Sequence, residues 1–334
     1  MGVDQPPTAR RQFLRAAATA GLVGCGGCLG GAGVAGTERG RGGRSEPVSI
    51  LAAGSLQHAL ESRFADGVDV PVTVECHGSA TLARLVAEGH RDPDIVTVAD
   101  PALFESPLSP PWHATFAGNA VVLAYRADTG GRIADAAPDR WYEPLLDGGV
   151  RVGRTDPDQD PLGYRTLFTL ELATEYYEAA PDLTERIPRR EQLYPETALV
   201  SQFETGGIDA AFTYRNMAVE RGYDYVALPD EINLSNPDHA ARYASVSYRL
   251  PDGHDVHGDV ISYASTVRKP SEAALEVFAA HTTGAYLDNT GFVLDGRYPQ
   301  YVGDVPDGVE PAGETAAGNR QRVAPSHRVP TGHR

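Results

Sequence analysis

The chain has almost no lysine. Lys269 is its only lysine, and every other basic residue among the 334 is arginine or histidine. The formal net charge of -16 argues against a nucleic-acid-binding protein, because phosphate contacts need clustered lysine and arginine. An acidic, lysine-poor surface is typical of a halophilic protein, since concentrated salt screens charge repulsion. A GC-rich genome that favours Arg, Ala, Gly and Asp codons is the alternative explanation.

Cysteine and enzyme motifs are also scarce. Three cysteines cannot form a disulfide framework, and two of them, Cys25 and Cys28, lie near the start of the chain. The third, Cys76, is interpreted as a small buried residue in a strand. The sequence contains no G-x-S-x-G elbow, P-loop or H-E-x-x-H motif. His254 and His257 have i,i+3 spacing, but their polar surroundings favour a solvated hairpin tip over a metal site.

Residues 1–45 resemble an export signal. Arg10 and Arg11 precede Phe-Leu and a small-residue, mildly apolar run, as in twin-arginine signals. The run is too short and too glycine-rich to span a hydrocarbon core of ~30 Å. It ends in Leu-Val-Gly-Cys, which resembles a lipobox with Cys25 as the lipidated residue; a free cysteine is the alternative. We therefore expect a signal, lipobox and flexible tether that hold the folded part at the outer face of the cell membrane.

Short apolar strands alternate with helical segments along the folded part. The segments VSILAA, VTVEC, DIVTVAD and NAVVLAYR predict strands, and helices follow the first two. This alternation predicts an α/β fold with mixed, mainly parallel sheets flanked by helices. The segment SVSYRLPDGHDVHGDVISYAST predicts two strands joined by an Asp-Gly turn. Residues 302–334, rich in Pro, Gly and Arg, predict a disordered tail.

Two strand-turn-helix units carry the first candidate site. Ser55 and Ser79 each follow a glycine where a helix N-cap is expected. The first N–H groups of a helix lack internal partners and carry partial positive charge, which favours an oxyanion. Ligands of open α/β folds bind at the carboxyl ends of strands, where both turns lie. Oxyanion binding and simple helix capping both remain open for these serines.

An ordered set of motifs resembles the archaeal tungstate/molybdate-binding proteins of ABC importers, a type of periplasmic binding protein. The set runs from about residue 48 to about 301 and covers nearly all of the folded part. Its members are, in order, AAGSL, HGSATLARL, DIVTVAD, NAVVLAYR, WYEPLLD, DPDQDPLGYRTL, GGIDAAFTYRNMAVERG, ALPDEINLS and LPDG. DPLGYR, and YRNMA before LPDEINL, are its most specific parts.

The resemblance implies a two-lobe, type II periplasmic-binding-protein fold. Lobe 1 would comprise residues 47–122 plus 260–301, and lobe 2 residues 123–259. The chain would cross between lobes in NAVVLAYR and return near DVISYAST. Closure about this hinge would bury an anion between the lobes, and the closed form would dock on the permease.

The resemblance also implies a ligand set of neutral donors. These are Ser55, Ser79, the helix start after Asp160 and its following proline, and Tyr214. Two carboxylates of the family approach the metal atom of the oxyanion and raise its coordination toward six oxygens. Asp160 matches one of them, but Thr213 stands where a glutamate is expected before the tyrosine. The expected site residues are therefore Ser55, Ser79, Asp160, Thr213 and Tyr214, with a mostly tetrahedral oxyanion.

The stretch DPDQDPLGYR has three alternating aspartates, which raises the possibility of a calcium loop. Such a loop needs glycine at position six and glutamate at position twelve, whereas this chain has Pro161 and Leu167. Asp156 and Asp158 are interpreted as solvated turn residues, and Asp160 as the N-cap of the following helix. A carboxylate suits an anion site only if the anion has a metal centre with room for another oxygen, which sulfate lacks.

The resulting expectation is a monomeric, substrate-binding lipoprotein of an ABC transporter that delivers molybdate or tungstate to its permease. No cofactor, nucleic-acid partner or enzymatic activity is expected. A binding protein for another oxyanion such as sulfate, an anion sensor that partners a membrane receptor, and a secreted α/β hydrolase are the alternatives. The hydrolase is the weakest of these, because no motif supplies a nucleophile with a base.

Overall fold

The computed structural model describes residues 46–128, 131–136, 138–178, 180–307 and 309. All of these belong to one compact unit, Ser45–Arg334. The predicted export signal, the lipobox with Cys25 and the tail beyond residue 309 lie outside the described residues. Within the described part, no helix combines the length and apolarity needed to cross a membrane.

The strands form two large sheets and one hairpin. In chain order they are β1 Val48–Ala53, β2 Val72–His77, β3 Ile95–Val98, β4 Trp112–Gly118, β5 Val121–Tyr125, β6 Val152–Thr155, β7 Leu193–Tyr194, β8 Ala210–Tyr214, β9 Asp224–Ala227, β10 Ser247–Arg249, β11 Asp255–His257, β12 Ser262–Val267 and β13 Gln300–Gly303. The first sheet has the order β13-β4-β12-β3-β1-β2 and the second β7-β6-β8-β5-β9. Strands β10 and β11 pair only with each other.

Helices cover these sheets. They are α1 Gln57–Ala59, α2 Ser79–Ala87, α3 Gly131–Ala136, α4 Glu143–Leu146, α5 Pro161–Tyr176, α6 Leu183–Arg186, α7 Glu196–Glu204, α8 Arg215–Arg221, α9 Ala240–Tyr243 and α10 Glu272–Thr282. Ser271 caps α10 as predicted by the sequence, since its side chain accepts a hydrogen bond from the Ala274 amide at 3.1 Å. The α/β fold with two mixed sheets flanked by helices is confirmed.

Strand direction differs in detail from the expectation of mainly parallel sheets. The two large sheets contain four parallel pairs and five antiparallel pairs. The parallel pairs join strands that lead directly into helices or helical turns, namely β1–β2, β1–β3, β6–β7 and β6–β8. In the first sheet, the antiparallel pairs are β12–β3, β12–β4 and β13–β4. In the second sheet, β5 runs antiparallel to both β8 and β9.

Two boundaries also differ from the sequence-based expectation. The segment predicted as two strands contains three, because β10 and β11 form the hairpin and β12 enters the first sheet. The ordered chain also continues past residue 302. Strand β13 pairs with β4 up to Gly303, and Val309 is buried in the core. The apolar character of Val302, Val305 and Val309 was hidden by the surrounding Pro, Gly and Asp residues.

The chain passes once from the first sheet to the second between β4 and β5, at the buried residues Asn119 and Ala120. It returns between β11 and β12. The exact lobe boundaries at 122–123 and 259–260 stay predictions. This connectivity leaves three strand ends of each sheet leading into helical turns, and those ends build the site.

Candidate functional site

Two sets of strand-to-helix junctions face each other. In the first sheet, β1, β2 and β3 end at Gly54-Ser55, Gly78-Ser79 and Ala99-Asp100. In the second sheet, β6, β7 and β8 lead into α5, α7 and α8, which begin beside Asp160, Glu196 and Tyr214. Hydrogen bonds join the two sets: the Asn216 side chain donates to the Ser55 carbonyl at 2.8 Å and the Thr81 amide to the Gln159 carbonyl at 3.3 Å.

The glycines of the first set permit this close approach. A Cβ atom on Gly54 would lie 2.0 Å from Oε2 of Glu196, and one on Gly78 would lie 2.6 Å from the Gln159 carbonyl oxygen. Both distances are far below van der Waals contact. Glycine is therefore required at position 78, where the obstacle is backbone, while a side chain at position 54 would displace the Glu196 carboxyl group. The two glycines bring the serines next to the second sheet's helix starts.

The structure corrects the predicted capping role of the serines. Ser79 is the first residue of α2 and Ser55 lies inside a 3₁₀ turn, and neither side chain caps a helix. Instead, the Ser79 hydroxyl accepts a hydrogen bond from the Ala99 amide at 2.9 Å. The Ser55 hydroxyl lies 2.8 Å from the Tyr263 hydroxyl. Both serines are buried, so their hydroxyl groups are held in the interior between the junctions.

Tyr214 is fully buried at the end of β8. Its hydroxyl accepts a hydrogen bond from Nη1 of Arg165 at 2.8 Å. Arg165 also donates to the Ala99 carbonyl at 2.7 Å and lies 3.3 Å from the Asp100 carboxylate. The Asp100 carboxylate accepts a second bond, from the Tyr164 hydroxyl at 2.5 Å. Helix α5 is thereby fixed to the end of β3, and the position of the Tyr214 hydroxyl depends on that connection.

Asp160 is the N-cap of α5, as the sequence predicted. Its Oδ1 accepts a hydrogen bond from the Leu162 amide at 3.0 Å. Its Oδ2 is buried and has no hydrogen-bond partner among the described residues. Burial raises the pKa of Asp160 to about 6, although the Leu162 amide, the Arg165 charge and the Thr155 side chain lower it. One carboxylate oxygen is thus committed to the helix, and the other is buried.

Glu196 brings a second carboxylate to the same place. It is buried at the start of α7, and its Oε1 lacks a hydrogen-bond partner in the described part of the chain. Burial raises the pKa of Glu196 well above its ordinary value, and the negative charge of Asp160 raises it further. Since two buried carboxylates repel each other, this pair favours a bound group that can accept electron density from oxygen.

A cavity of about 250 Å³ adjoins Ser55 and Glu196, and its lining also includes Met217, His58 and Arg221. Asp160, Ser79 and Tyr214 do not line this cavity. No group of three or more His, Cys, Asp or Glu side chains suited to a metal ion occurs among the described residues. A hydroxyl and a carboxyl group beside a cavity can contact an anion whose central atom accepts further oxygen ligands.

A family model described as a bacterial extracellular solute-binding protein matches residues 48–284. The chain belongs to this family. This solute-binding protein is 52% identical to a Haloferax volcanii protein named "Putative ABC transporter molybdenum-binding protein", over 90% of this chain and 96% of the relative. It is 33% identical to the molybdate/tungstate-binding protein WtpA of Pyrococcus abyssi, over 72% of this chain and 80% of the relative. The family resemblance inferred from the sequence motifs is confirmed.

A solved structure supports the fold. The solute-binding protein superimposes on PEB3 with bound L-phospholactate at a TM-score of 0.50, covering 74% of this chain and 100% of that chain. Sequence identity between the two is 11%. At that identity the likeness concerns the two-lobe fold and not the ligand.

The structure brings most of the predicted site residues together. Ser55, Ser79, Asp160 and Tyr214 all lie at the facing junctions. The Thr213 hydroxyl instead donates to Sδ of Met217 at 3.2 Å. A contact between Thr213 and a ligand stays a prediction, as do the ligand contacts of the other four residues.

Glu196 was missed by the sequence analysis. It lies in the segment YPETALV, where a glutamate after a proline is an ordinary helix start. Nothing in that local pattern distinguishes a ligand from a residue that only complements the helix dipole. The expectation of a glutamate beside Tyr214 also directed attention to Thr213. In the folded protein, Glu196 supplies the second carboxylate from a different helix.

The other two aspartates of DPDQDPLGYR have structural roles. Oδ1 of Asp156 accepts a hydrogen bond from the Asp158 amide at 3.1 Å, which holds the turn before α5. Oδ1 of Asp158 accepts from the Tyr248 hydroxyl at 2.7 Å, which fastens the turn to β10. Both side chains hold turns as expected, while only Asp160 enters the site.

Proposed function

We propose that this solute-binding protein captures molybdate or tungstate between its two sheets and delivers it to the permease of an ABC transporter. The observation that carries the proposal is the pairing of three buried hydroxyls with two buried carboxyl groups, each of which has one oxygen without a partner among the described residues. The names of the relatives from Haloferax volcanii and Pyrococcus abyssi support the same ligand class.

The hydroxyl side of the site suits the oxygens of a tetrahedral dianion. Ser55, Ser79 and Tyr214 offer donors without adding positive charge, which matches the ligand set expected from the sequence. The helix starts beside them add partial positive charge.

The carboxylate side distinguishes between oxyanions. A carboxylate beside sulfate is purely repulsive, because the sulfur atom has no vacancy for another oxygen. Molybdenum or tungsten in the same position has room for oxygen ligands from Asp160 and Glu196. We therefore propose coordination beyond four oxygens, with Glu196 in the role that the sequence analysis could not assign to Thr213.

Calorimetric titration of the full chain with molybdate, tungstate and sulfate tests the function. We expect tight binding of molybdate or tungstate and weak or no binding of sulfate. Absence of binding heat with both metal oxyanions overturns the proposal. Tight sulfate binding with no preference for the metal oxyanions would instead favour the alternative oxyanion-binding function.

We further propose export by the twin-arginine route, lipidation at Cys25 and attachment to the outer face of the cell membrane. The sequence pattern of residues 1–45 supports this location, and the relatives' family of extracellular proteins agrees with it. The variant Cys25→Ser should release the protein from membranes into the medium, as measured by cell fractionation. Unchanged membrane association of this variant would contradict lipid anchoring at Cys25.

The proposed role involves binding and release, with no chemical conversion of the ligand, and the protein is expected to act as a monomer. The family and the named relatives are solute-binding proteins, which supports this view. The relative from Haloferax volcanii, together with the scarcity of lysine, also supports a halophilic source.

A further inference from the structure

Two of the three hydroxyls at the site, those of Tyr214 and Ser79, have an oxygen that faces a group able only to donate. A hydroxyl has one proton to donate and can accept through its lone pairs. Where a neighbouring group can only donate, the hydroxyl must accept from it and its own proton points elsewhere. The direction of these two protons can therefore be worked out from their neighbours.

Arg165 decides the direction for Tyr214. A guanidinium group has five N–H donors and no acceptor, so the 2.8 Å contact from Nη1 makes the Tyr214 oxygen the acceptor. The guanidinium cannot turn away, because the Ala99 carbonyl and the Asp100 carboxylate hold it at 2.7 and 3.3 Å. The Tyr214 proton is left for another group. The Ser79 proton is left in the same way, since its oxygen accepts from the Ala99 amide.

The Ser55 hydroxyl is connected to the backbone through a longer series of hydrogen bonds. The Asn119 side-chain oxygen accepts from the Ala120 amide at 2.9 Å, which orients the amide group. Its nitrogen then donates to Asn216 at 2.8 Å and to the Tyr263 hydroxyl at 3.1 Å. The Tyr263 oxygen accepts from Asn119 and lies 2.8 Å from the Ser55 oxygen, where either hydroxyl can be the donor; we take Tyr263 as the donor. The Ser55 proton is therefore also left for another group.

We propose that Tyr263 and Arg165 are positioning residues, which commit the hydroxyl protons of Ser55 and Tyr214 to the bound anion. Both are fully or almost fully buried. They thus select a ligand whose oxygens on this side are all acceptors, as in a fully deprotonated oxyanion. This inference rests on the oxyanion-binding function proposed above and adds the residues that orient its donors.

Arg165 also connects the two sheets through its contacts with Ala99 and Asp100. Arg165 belongs to α5, whereas Ala99 and Asp100 follow β3. The backbone of Ala99 contacts both groups, since its N–H donates to the Ser79 hydroxyl and its carbonyl accepts from Arg165. The bond from Arg165 to the Ala99 carbonyl therefore joins the two sheets beside both hydroxyls, while each hydroxyl has its donor on its own side.

Double-mutant cycles measured by calorimetry with molybdate test the proposal. Tyr263→Phe keeps the ring and removes only the hydroxyl. It should lower affinity about fivefold in the wild-type background and less than about twofold in the Ser55→Ala background. In the Ser79→Ala background, the matched control, it should again lower affinity about fivefold. An equal loss in all three backgrounds would mean that Tyr263 has only a structural role and would overturn its assignment.

The second cycle pairs Arg165→Lys with Tyr214→Phe. Lysine keeps the charge but cannot contact Ala99, Asp100 and Tyr214 with one planar fork. Its effect on affinity should largely disappear when the Tyr214 hydroxyl is already absent. If Arg165→Lys fails to fold, the Tyr263 cycle still decides the proposal. If Ser55→Ala and Ser79→Ala each bind molybdate like the wild type, the proposed binding site fails; if they weaken binding without coupling to Tyr263, only the positioning role fails.

Discussion

The hydroxyl side of the site, at Ser55 and Ser79, differs from the carboxylate side, at Asp160 and Glu196, in how its polar groups are paired. On the first sheet, Ser55 and Ser79 follow glycines, and their hydroxyl oxygens have hydrogen-bond partners within the protein. On the second sheet, Asp160 and Glu196 lie beside prolines at helix starts, and each has a buried oxygen without a partner in the described residues. One side presents hydroxyl groups, and the other presents two buried carboxyl groups whose pKa is raised above its ordinary value.

This difference shows how a site can bind an anion with carboxylates in it. On the hydroxyl side, the hydroxyl oxygens already have hydrogen-bond partners within the fold, while their protons are left for a ligand. The carboxylate side is costly without a ligand, because burial raises the pKa of both acids and the charge of Asp160 raises the pKa of Glu196 further. A metal-centred oxyanion satisfies both sides, whereas sulfate satisfies only the first.

Removing a carboxylate charge should have the largest effect. We expect Glu196→Gln to weaken binding of molybdate and tungstate by about 3 kcal/mol, because a neutral amide is a poor ligand for the metal. Asp160→Asn should act in the same direction and still cap α5. Calorimetric titration with sulfate is the control, since its affinity should stay the same or rise. Equal losses for all three anions would contradict the distinction between the two sides.

A substitution that prevents close approach of the two sets of junctions should have the next largest effect on ligand affinity. In Gly78→Ala, the added Cβ would meet the Gln159 carbonyl oxygen at 2.6 Å, and this backbone atom cannot move cheaply. We expect binding to weaken by about 2–3 kcal/mol and the radius of gyration from small-angle X-ray scattering to increase. Gly296→Ala is the matched control, because nothing lies within 4 Å of its Cβ position. Unchanged affinity in Gly78→Ala would argue against close approach of the junctions.

Removing single hydroxyl groups tests the hydroxyl donors of the site directly. Ser55→Ala and Tyr214→Phe should each weaken molybdate binding by about 1–3 kcal/mol, since a ligand oxygen loses its donor in a buried site. Sulfate affinity should fall by a similar amount, in contrast to the carboxylate variants. Wild-type affinities in both variants would show that the assigned hydroxyl side is incorrect.

The pH dependence of ligand-free stability probes the second side. Burial raises the pKa of Asp160 to about 6, so the folded state binds more protons than the unfolded state between about pH 4 and pH 6. The stability that comes from this extra proton binding is fully present below the pKa of Asp160 in the unfolded state, and it is lost as pH rises through 6. Between pH 4.5 and pH 7.5, we expect the free energy of unfolding of the wild type to fall by about 1–2 kcal/mol more than that of Asp160→Asn. Denaturant unfolding of both proteins measures it, and identical pH profiles would contradict a strained carboxylate pair.

The smallest effect is expected at Thr213. Its hydroxyl donates to Met217, so Thr213→Val should change molybdate affinity by less than about 0.5 kcal/mol. Calorimetry on this variant checks the site residue that the structure supports least. A loss comparable with that of Ser55→Ala would restore Thr213 to the ligand set.

Much of the fold and most of the candidate site could be predicted from local sequence. Alternating apolar strands and helices indicated the α/β class, and the pattern of Asp160 before proline indicated the N-cap that the structure contains. Strand β13 was harder to predict, because its four residues pair only with β4, almost two hundred positions earlier in the chain. Such a strand has little local signal, since its stability comes from a distant partner.

The sequence by itself determined the family, the fold class, and the serines, aspartate and tyrosine of the candidate site, because these lie in motifs whose order is preserved. Only the tertiary structure decided the partners of each group. Glu196 became a site residue because α7 begins next to Gly54 in space, and Tyr263 became one because β12 returns beside Ser55. Burial, repulsion between charges and the direction of a hydroxyl proton are all set by neighbours that lie far away in the chain.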